Sequence, residues 1–507
     1  MSMSESLLFW KLANDLVIKR QYRIVQVAET ENEMWLENFS NKKAPVIRLL
    51  NHDIDWGNRL QRDIEFTTRN GEKIRKAFYK RQLTVLNVYI SSYPPVDDYH
   101  YLLEKPHQLS NQKVLLHNVM LTKEQRHEGL SMLNDFFHEP IIIQEGQDGS
   151  IEELKQSTLQ ASVEKSKNEK KLFEFGKPFF TYIFIAIQVI VFILLELKGS
   201  STNPENLIQF GAKYNPLILQ GQWWRFITPI FLHIGVLHIL MNTLALYYLG
   251  IAVEKIYGRM RFLWIYLFAG FAGSVASFVF TDNLSAGASG AIFGCFGALL
   301  YFGSVYPNLF FRTMGVNVLV VIGINLVFGF TASGIDNAGH LGGLAGGFLA
   351  TGVVHLPKKK NWRRQLLFLV LTILLSAGFL IYGFRYSEAS ADPDVTNSLA
   401  QQYIKDKQYG KAEKLLNSYI DQHEGNAVTY FFLSYVELQH GQNENAKQHL
   451  MKAIRLNPRF HEAHYNLALI YYDEGNFQKA ETEVQEALKY KDDKKYQTLL
   501  KEIQSRI

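Results

Sequence analysis

Residues 287–305 read GASGAIFGCFGALLYFGSV, and residues 339–355 read GHLGGLAGGFLATGVVH. Both stretches are apolar enough to cross a lipid bilayer, yet the first carries Ser289 near its start and the second carries His340. Hydroxyl and imidazole groups are costly at membrane depth, so a serine and a histidine there indicate a functional site. The two stretches therefore predict serine catalysis within a membrane.

Both stretches also contain glycines at short intervals. Small residues spaced in this way let two helix backbones approach each other closely. We therefore expect the two helices to pack together, so that Ser289 and His340 meet. The glycines are Gly287, Gly290, Gly294 and Gly297 in the first stretch, and Gly339, Gly343 and Gly347 in the second.

A serine hydroxyl is a weak nucleophile until a base takes its proton, and we expect His340 to be that base. Acyl transfer also needs hydrogen-bond donors for the oxyanion that develops. An earlier apolar run offers His238 and Asn242, which are four residues apart and so share one helical face. The alternative for these two residues is interhelical hydrogen bonding. His233, at the mouth of the same run, is expected to stabilise a loop.

The composition bears on other classes of function. The 507-residue chain has 53 Lys and Arg against 48 Asp and Glu, and a net charge of +5 is weak evidence for a nucleic-acid partner. Its single cysteine, Cys295, excludes an intramolecular disulfide and a C-x-x-C zinc site. Cys295 is disfavoured as a rival nucleophile because, six positions after Ser289, it faces about 240° around the helix.

The middle of the chain contains seven apolar runs, each near the roughly 20 residues that a helix needs to cross hydrocarbon. We therefore predict a membrane domain of seven spans over residues 179–384. The runs cover residues 179–197, 233–252, 262–281, 287–305, 315–332, 336–356 and 365–384.

Lysine and arginine collect in the short loops that face the cytoplasm, and this bias sets membrane orientation. The basic clusters lie at 165–177, 255–261 and 358–364, and Arg312 lies in a further loop. All four fall on the cytoplasmic side if the N-terminus is cytoplasmic, and the first ten residues have too short an apolar run for a signal peptide. The prediction is a multi-pass cell-membrane protein with an extracytoplasmic C-terminal domain.

Residues 1–165 are predicted to form a cytoplasmic soluble α/β domain. Strands are expected at Leu83–Ile90 and Ile141–Gln144, and a helix at Glu128–Phe137. The charged residues that follow predict a linker at 166–178, and a second linker is expected at 385–392.

Two clusters in this N-terminal domain have oxygen and imidazole groups that would suit a divalent cation. They are His52-Asp53-x-Asp55 and Asp97-Asp98-x-His100. Solvated loop polarity is the usual explanation of such runs, and neither cluster has a strict ligand spacing. A cation on this domain is therefore the lesser expectation.

The tail, residues 393–507, repeats with a period of 34 residues. Ala412, Ala446 and Ala480 are separated by that interval, and so are Ala400, Ser434 and Ala468. The period is typical of tetratricopeptide helix pairs, in which small residues lie where two helices pack. Such arrays bind peptides or partner proteins along a concave face, so we expect a protein or peptide partner here.

Taken together, the motifs of the membrane domain resemble those of the rhomboid family of intramembrane serine proteases. The resemblance covers about two-fifths of the chain, over residues 179–384. The matching motifs, in chain order, are Trp224-Arg225, His238-x-x-x-Asn242, Glu254 with Tyr257-Gly258, Gly287-x-Ser289-Gly290, and Gly339-His340-x-x-Gly343-x-x-x-Gly347.

The resemblance implies a six-helix core with a seventh helix added, and a catalytic dyad of Ser289 and His340 that requires no cofactor or metal. It also implies transmembrane protein substrates that are cut near their outer ends. Where family members commonly have a tyrosine that stacks on the histidine, this chain has Phe293, whose ring can still stack. Asp336 lies only at the rim of its span. Trp224 and Arg225 are either an interfacial anchor or a loop scaffold.

Two other functions compete with proteolysis. The flanking domains on opposite membrane faces would also suit a membrane adaptor, which presents client membrane proteins to another protease or complex. A transporter is disfavoured, because the spans show no convincing inverted repeat.

Overall fold

The computed structural model describes residues 4–78, 80–108, 113–143, 150–219, 221–331, 334–359, 361–386 and 393–507. The chain forms two compact units. The first contains residues 1–174 together with 306–314, and the second contains residues 175–305 together with 315–507. Most of the linker predicted at 385–392 lies outside the described residues, since its described part is confined to 385 and 386.

The first unit is built on a five-stranded mixed sheet whose strand order follows the chain. Strands β1 to β3 pair in antiparallel fashion, whereas β3, β4 and β5 are parallel. The strands are β1 (Arg23–Val27), β2 (Glu33–Glu37), β3 (Val46–Asn51), β4 (Leu83–Ile90) and β5 (Val114–Leu121), and the helices are α1 (Glu5–Asn14), α2 (Gly57–Ala77), α3 (Tyr101–Glu104), α4 (Arg126–Asn134) and α5 (Ile151–Phe173).

Apolar side chains cover both faces of this sheet, as expected for parallel strands with helical crossovers. The strand predicted at Leu83–Ile90 is β4, and the helix predicted at Glu128–Phe137 is α4, which begins two residues earlier and ends three residues earlier. The strand predicted at Ile141–Gln144 is wrong for Ile141–Ile143, which have no regular structure, and Gln144 lies outside the described residues.

The predicted linker at 166–178 is also corrected, because α5 continues as a helix as far as Phe173. Its start is fixed by a capping box between Ser150 and Glu153. It is held against α1, where Asn14 donates hydrogen bonds to Ser157 and Thr158. Charge alone therefore did not distinguish a solvated helix face from a linker.

The second unit contains a bundle of apolar helices, in which a long connection between α6 and α9 carries two short helices and two 3₁₀ turns, at Trp223–Phe226 and Thr228–Phe231. The helices are α6 (Phe180–Lys198), α7 (Pro204–Gln209), α8 (Asn215–Leu219), α9 (Val236–Tyr257), α10 (Arg259–Phe280), α11 (Ser289–Val305), α13 (Gly315–Thr331), α14 (Asn337–Val354) and α15 (Trp362–Tyr386), while α12 (Pro307–Thr313) belongs to the first unit.

Among the described residues, four of these helices are long and apolar enough to cross a membrane, namely α6, α9, α10 and α15. A fifth span results if α12 and α13 are taken as one bent span. Helix α11 is apolar but has only 17 residues, and α14 is rich in glycine. Each of the seven predicted runs is nevertheless helical over most of its length.

Residues Tyr306–Met314 pack in the first unit with the N-terminal domain. Arg312 of α12 forms ion pairs with Glu37, at 3.3 Å, and with Glu169 of α5. Asn308 adds a hydrogen bond to Ser40. The arginine that the sequence marks only as a topological signal therefore has two specific carboxylate partners.

The tail forms helix pairs with a final single helix. The two series of small residues spaced by 34 positions are fully buried at the helix contacts, as the period predicts. The helices are α16 (Pro393–Lys405), α17 (Tyr409–Ile420), α18 (Ala427–Gln439), α19 (Asn443–Leu456), α20 (His461–Asp473), α21 (Phe477–Tyr490) and α22 (Lys494–Gln504).

Candidate active site

The structure brings Ser289 and His340 into contact. Ser289 is the first residue of α11, and His340 lies in the first turn of α14. The Oγ atom of Ser289 and the Nε2 atom of His340 are 2.8 Å apart, which is hydrogen-bond distance. Phe293, one turn after Ser289, stacks on the imidazole with ring centroids 4.4 Å apart and planes 8° apart.

Glycines make this contact sterically feasible, since the backbones of α11 and α14 touch. A Cβ atom at Gly343 would lie 2.0 Å from the carbonyl oxygen of Gly290, and one at Gly347 would lie 2.2 Å from that of Gly294. On the other helix, a Cβ atom at Gly297 would lie 2.2 Å from the carbonyl oxygen of Leu344. The small-residue faces expected from the sequence are thus the surfaces along which these helices meet.

The start of the histidine helix is fixed by Asp336. One carboxylate oxygen accepts a hydrogen bond from the backbone amide of Gly339 at 2.8 Å, which is a helix N-cap. The other accepts a hydrogen bond from the Ser285 hydroxyl at 2.7 Å. Asp336 therefore joins the helix of His340 to the loop that precedes Ser289, a role that the sequence analysis missed. An aspartate three residues before a helical glycine was the available signal.

The loop before Ser289 is held on its other side by the connection between α6 and α9. Lys213 and Ser285 exchange two backbone hydrogen bonds, of 2.9 and 3.1 Å. The amide of Gly287 donates to the carbonyl of Pro229 at 2.9 Å, and the amide of Ala288 lies 3.5 Å from Nε2 of His233. The contact of His233 agrees with its expected loop-stabilising role, whereas Lys213 had no sequence signal.

His238 and Asn242 lie in the first two turns of α9. The Nδ1 atom of His238 accepts a hydrogen bond from the amide of Ile234 at 3.3 Å, so its proton is on Nε2. That edge of the ring faces Gly287, where an added Cβ atom would lie 3.0 Å from Nε2. The Asn242 amide donates instead to the carbonyl of His238 at 3.0 Å. His238 is thus beside the serine loop, whereas this bond of Asn242 lies within α9.

The Trp224-Arg225 motif divides into two roles. The Arg225 guanidinium is buried and donates to the carbonyls of Ile208 and Ala212 at 2.8 and 2.7 Å, so it supports the connection from inside. Trp224, in contrast, is 55% exposed. The arginine is therefore a loop scaffold, and the tryptophan has the exposure expected of an anchor.

Glu254 is a second buried charge with a structural role. Its carboxylate accepts hydrogen bonds from the amides of Phe179, Phe180 and Thr181, and from the Thr181 hydroxyl at 2.7 Å. These amides belong to the start of α6, where unpaired N–H groups and the helix dipole favour an anion. Glu254 thereby fastens α6 to the end of α9.

The remaining candidate residues do not join the site. Cys295 is fully buried. In the N-terminal domain, Asp53 accepts hydrogen bonds from Ser92 and Ser91, and the bond from the Ser92 amide holds the pKa of Asp53 below its usual value. Asp97 accepts from the amide of Gly57 at 2.6 Å. Within the described residues there is no group of three or more metal-binding side chains, so the structure gives the divalent cation no support.

Comparison with known proteins decides the family. The chain is 41% identical over 466 residues to the Rhomboid protease GluP of Bacillus subtilis (strain 168), a match that covers 91% of each chain. The chain belongs to the rhomboid family. The family model described as Rhomboid domain matches residues 220–357, and a Tetratricopeptide repeat model matches residues 437–503.

Two further relatives match the rhomboid domain. The Putative rhomboid protease YdcA of Bacillus subtilis (strain 168) is 32% identical over 187 residues, which cover 36% of this chain and 92% of the relative. The Rhomboid protease AarA of Providencia stuartii is 28% identical over 231 residues, which cover 40% of this chain and 82% of the relative. The chain is thus a multi-pass membrane protein and an intramembrane serine protease, a class that needs no cofactor.

Proposed function

We propose that Ser289 and His340 form the catalytic dyad of this protease and cleave transmembrane proteins near their outer ends. The observation that carries the proposal is the 2.8 Å separation of Ser289 Oγ and His340 Nε2. A base at that distance can take the proton of the hydroxyl as it attacks. Two further contacts of the imidazole region support it, namely the stacked Phe293 and the N-cap at Asp336.

The reaction proceeds in two halves. Ser289 Oγ attacks the scissile carbonyl, while His340 takes its proton and then gives it to the leaving amine. Water then attacks the acyl-enzyme, with His340 again as base, and releases the second fragment. The oxyanion of each tetrahedral intermediate is stabilised by the Nε2 proton of His238, the amide of Asn242 and the backbone amide of Ser289. The Nδ2 atom of Asn242 carries two protons, of which one bonds to the His238 carbonyl. For this role Asn242 donates the other proton to the oxyanion, or changes rotamer and donates both.

Substrates must present an unwound segment to this site. The carbonyls of an intact transmembrane helix are already hydrogen-bonded to their own backbone, so a scissile bond needs a locally broken helix. The resemblance to the family implies small residues near the cut, and glycine among them would favour such unwinding. We expect single-span or polytopic membrane proteins with such a segment.

The proposed orientation places the N-terminal domain in the cytoplasm and the tetratricopeptide domain outside. Basic residues support it, because Lys255, Arg259, Arg261 and Arg312 all lie at helix ends that this topology makes cytoplasmic. Ser289 and His340 both lie at the N-terminal ends of their helices, α11 and α14. In this topology those ends are near the outer surface, away from the basic residues. With seven spans, the chain crosses an odd number of times, so its two soluble domains face different compartments.

The test is cleavage of a model single-span substrate by the purified full chain in lipid vesicles. We expect the wild type to cut, and Ser289→Ala and His340→Ala to be inactive. Cys295→Ala is the matched control, because it removes the rival nucleophile of the same helix, and it should retain activity. Retained activity in Ser289→Ala would overturn the proposal.

The adaptor function remains the second candidate, supported by the specific packing of Arg312 with Glu37 and Glu169 in the N-terminal unit. This contact joins a folded domain to the segment directly after the serine helix. If the chain acts chiefly as an adaptor, the Ser289→Ala protein should restore the wild-type phenotype to a deletion strain. If proteolysis is the function, it should not.

A further inference from the structure

The tetratricopeptide domain contains a groove of about 740 Å³ that also reaches the protease domain. Its walls come from the first helix of each repeat, α16, α18 and α20, and from residues 491–496 around the start of α22. Ser398, Phe432 and Asn466, which are spaced by 34 residues, occupy equivalent positions along it. Glu205 of α7, in the connection between α6 and α9, completes the lining.

The groove is fixed to that connection by a buried interface. Ile208, Tyr214 and Leu217 pack in one apolar cluster with Leu399 and Leu416 of the repeat domain. In addition, the hydroxyls of Tyr214 and Thr396, both buried, are 2.6 Å apart. Within the second unit, the repeat domain thus packs directly against the protease domain.

The same connection leads directly to the serine loop. Tyr214 is adjacent to Lys213, whose backbone pairs with Ser285, and Ser285 is four residues before Ser289. A polypeptide held in the groove would therefore lie beside the part of the protease that also positions the nucleophile.

The lining suits an extended peptide. The lining combines half-buried rings of Phe431, Tyr435 and Tyr465 with charged side chains of both signs, such as Lys405 and Glu462. A segment with mixed polar and aromatic side chains can match this surface, and its backbone can bond to the amides along it.

We propose that the groove binds the water-exposed segment of the transmembrane substrate itself, next to the span that is cut. This inference rests on the proposed function, since it requires the repeat domain and the cleavage site to be on the same side of the membrane. The repeats then act as a second substrate site that raises affinity by linking two weak contacts on one polypeptide.

Two matched substrates test this proposal with the full chain in vesicles. They share one transmembrane segment, but one keeps an outer segment of about 30 residues and the other is trimmed to a few. We expect the wild type to cut the long substrate with about tenfold higher kcat/KM, through a lower KM at an unchanged kcat. In Tyr435→Ser/Asn466→Ala this long-to-short ratio should fall towards one, and in the control Met451→Ala, which alters an exposed side chain of α19, it should not.

A photo-crosslinking side chain at Ser398 gives a second readout, independent of turnover. In the Ser289→Ala background it should capture the outer segment of the long substrate. A ratio that is unchanged in the groove variant, or capture of a second copy of the chain instead, would overturn the groove proposal. Failure of the wild type to cut either substrate would overturn the proposed function, so the two failures are distinguishable.

Discussion

The ring of Phe293 lies flat against the imidazole of His340, with centroids 4.4 Å apart and an angle of 8° between the planes. Because the ring holds the imidazole in the plane that directs Nε2 to Ser289, we predict that Phe293→Ala lowers kcat. An aromatic pair contributes about 0.5–1.5 kcal/mol beyond its buried area, which corresponds to about a 2- to 12-fold loss of rate. Phe293→Tyr keeps the ring and should stay close to wild type. Equal kcat values for Phe293→Ala and wild type would contradict this role.

Because α11 and α14 are in backbone contact, we predict that one added methyl group lowers both the stability and the activity of the protein. In Gly343→Ala the new Cβ atom would meet the Gly290 carbonyl oxygen at 2.0 Å, so the helices must move apart. Overpacking of this kind costs about 1–3 kcal/mol. We expect a lower midpoint of thermal unfolding in detergent, together with loss of activity.

Gly323 of α13 is the matched control for Gly343, because a Cβ atom there has no neighbour within 4 Å. Gly323→Ala should change the unfolding midpoint little. Similar midpoints for the two alanine variants would show that α11 and α14 do not need this close approach.

The two hydrogen bonds of Asp336 predict that substitutions at that position lower activity to different degrees. Asp336→Ala removes the N-cap of α14, which costs about 1 kcal/mol, and it also releases Ser285. We expect kcat to fall while KM for the trimmed substrate changes little, because the side chain positions His340 and does not touch substrate. Asp336→Asn can still accept from Gly339 and bond to Ser285, so it should restore most of the rate. Failure of asparagine to rescue would contradict a positioning role.

We predict that the stability of the repeat domain depends on pH through His464, whose Nδ1 atom lies 2.6 Å from Glu483. Burial lowers the pKa of His464, but the hydrogen bonds to Glu483 and to the Pro458 carbonyl outweigh it, and the net pKa is raised above the usual value. A raised pKa stabilises the fold below the unfolded pKa of about 6.5, and this stability is lost as pH rises through the folded pKa.

Hydrogen exchange of the full chain, corrected for the intrinsic pH dependence, would measure this effect. We expect the protection of α20 and α21 to decrease as pH rises above about 6.5. In Glu483→Gln the decrease should be smaller, because the neutral amide cannot raise the pKa of His464 in the same way. Equal pH dependence in the two proteins would contradict the role of this pair.

Much of the architecture was predictable because hydrophobic length and period are local properties. The apolar runs gave the helices, the 34-residue period gave the repeats, and the glycine faces gave the contact that brings Ser289 to His340. In β4 the prediction matched both ends, Leu83 and Ile90. Each of these signals can be read within one segment of the chain.

The missed features depend on contacts between distant segments. Nothing near Lys213 in the sequence predicts its pairing with Ser285, and the second bond of Asp336 needs that loop in place. The last two turns of α5, to Phe173, looked like a linker because the ion pair between Glu169 and Arg312 is a tertiary contact. The packing of Tyr214 on Thr396 was likewise invisible until the fold brought the repeats to the protease domain.

The most direct measurement of the central claim is the site of covalent capture. A fluorophosphonate reacts with a serine whose proton a neighbouring base can take, so the full chain in detergent is treated with one and mapped by peptide mass spectrometry. We predict a single adduct on Ser289, at full occupancy in the wild type and in Cys295→Ala, and absent in His340→Ala. An adduct on any other residue, or equal labelling of Ser289 without His340, would contradict the dyad.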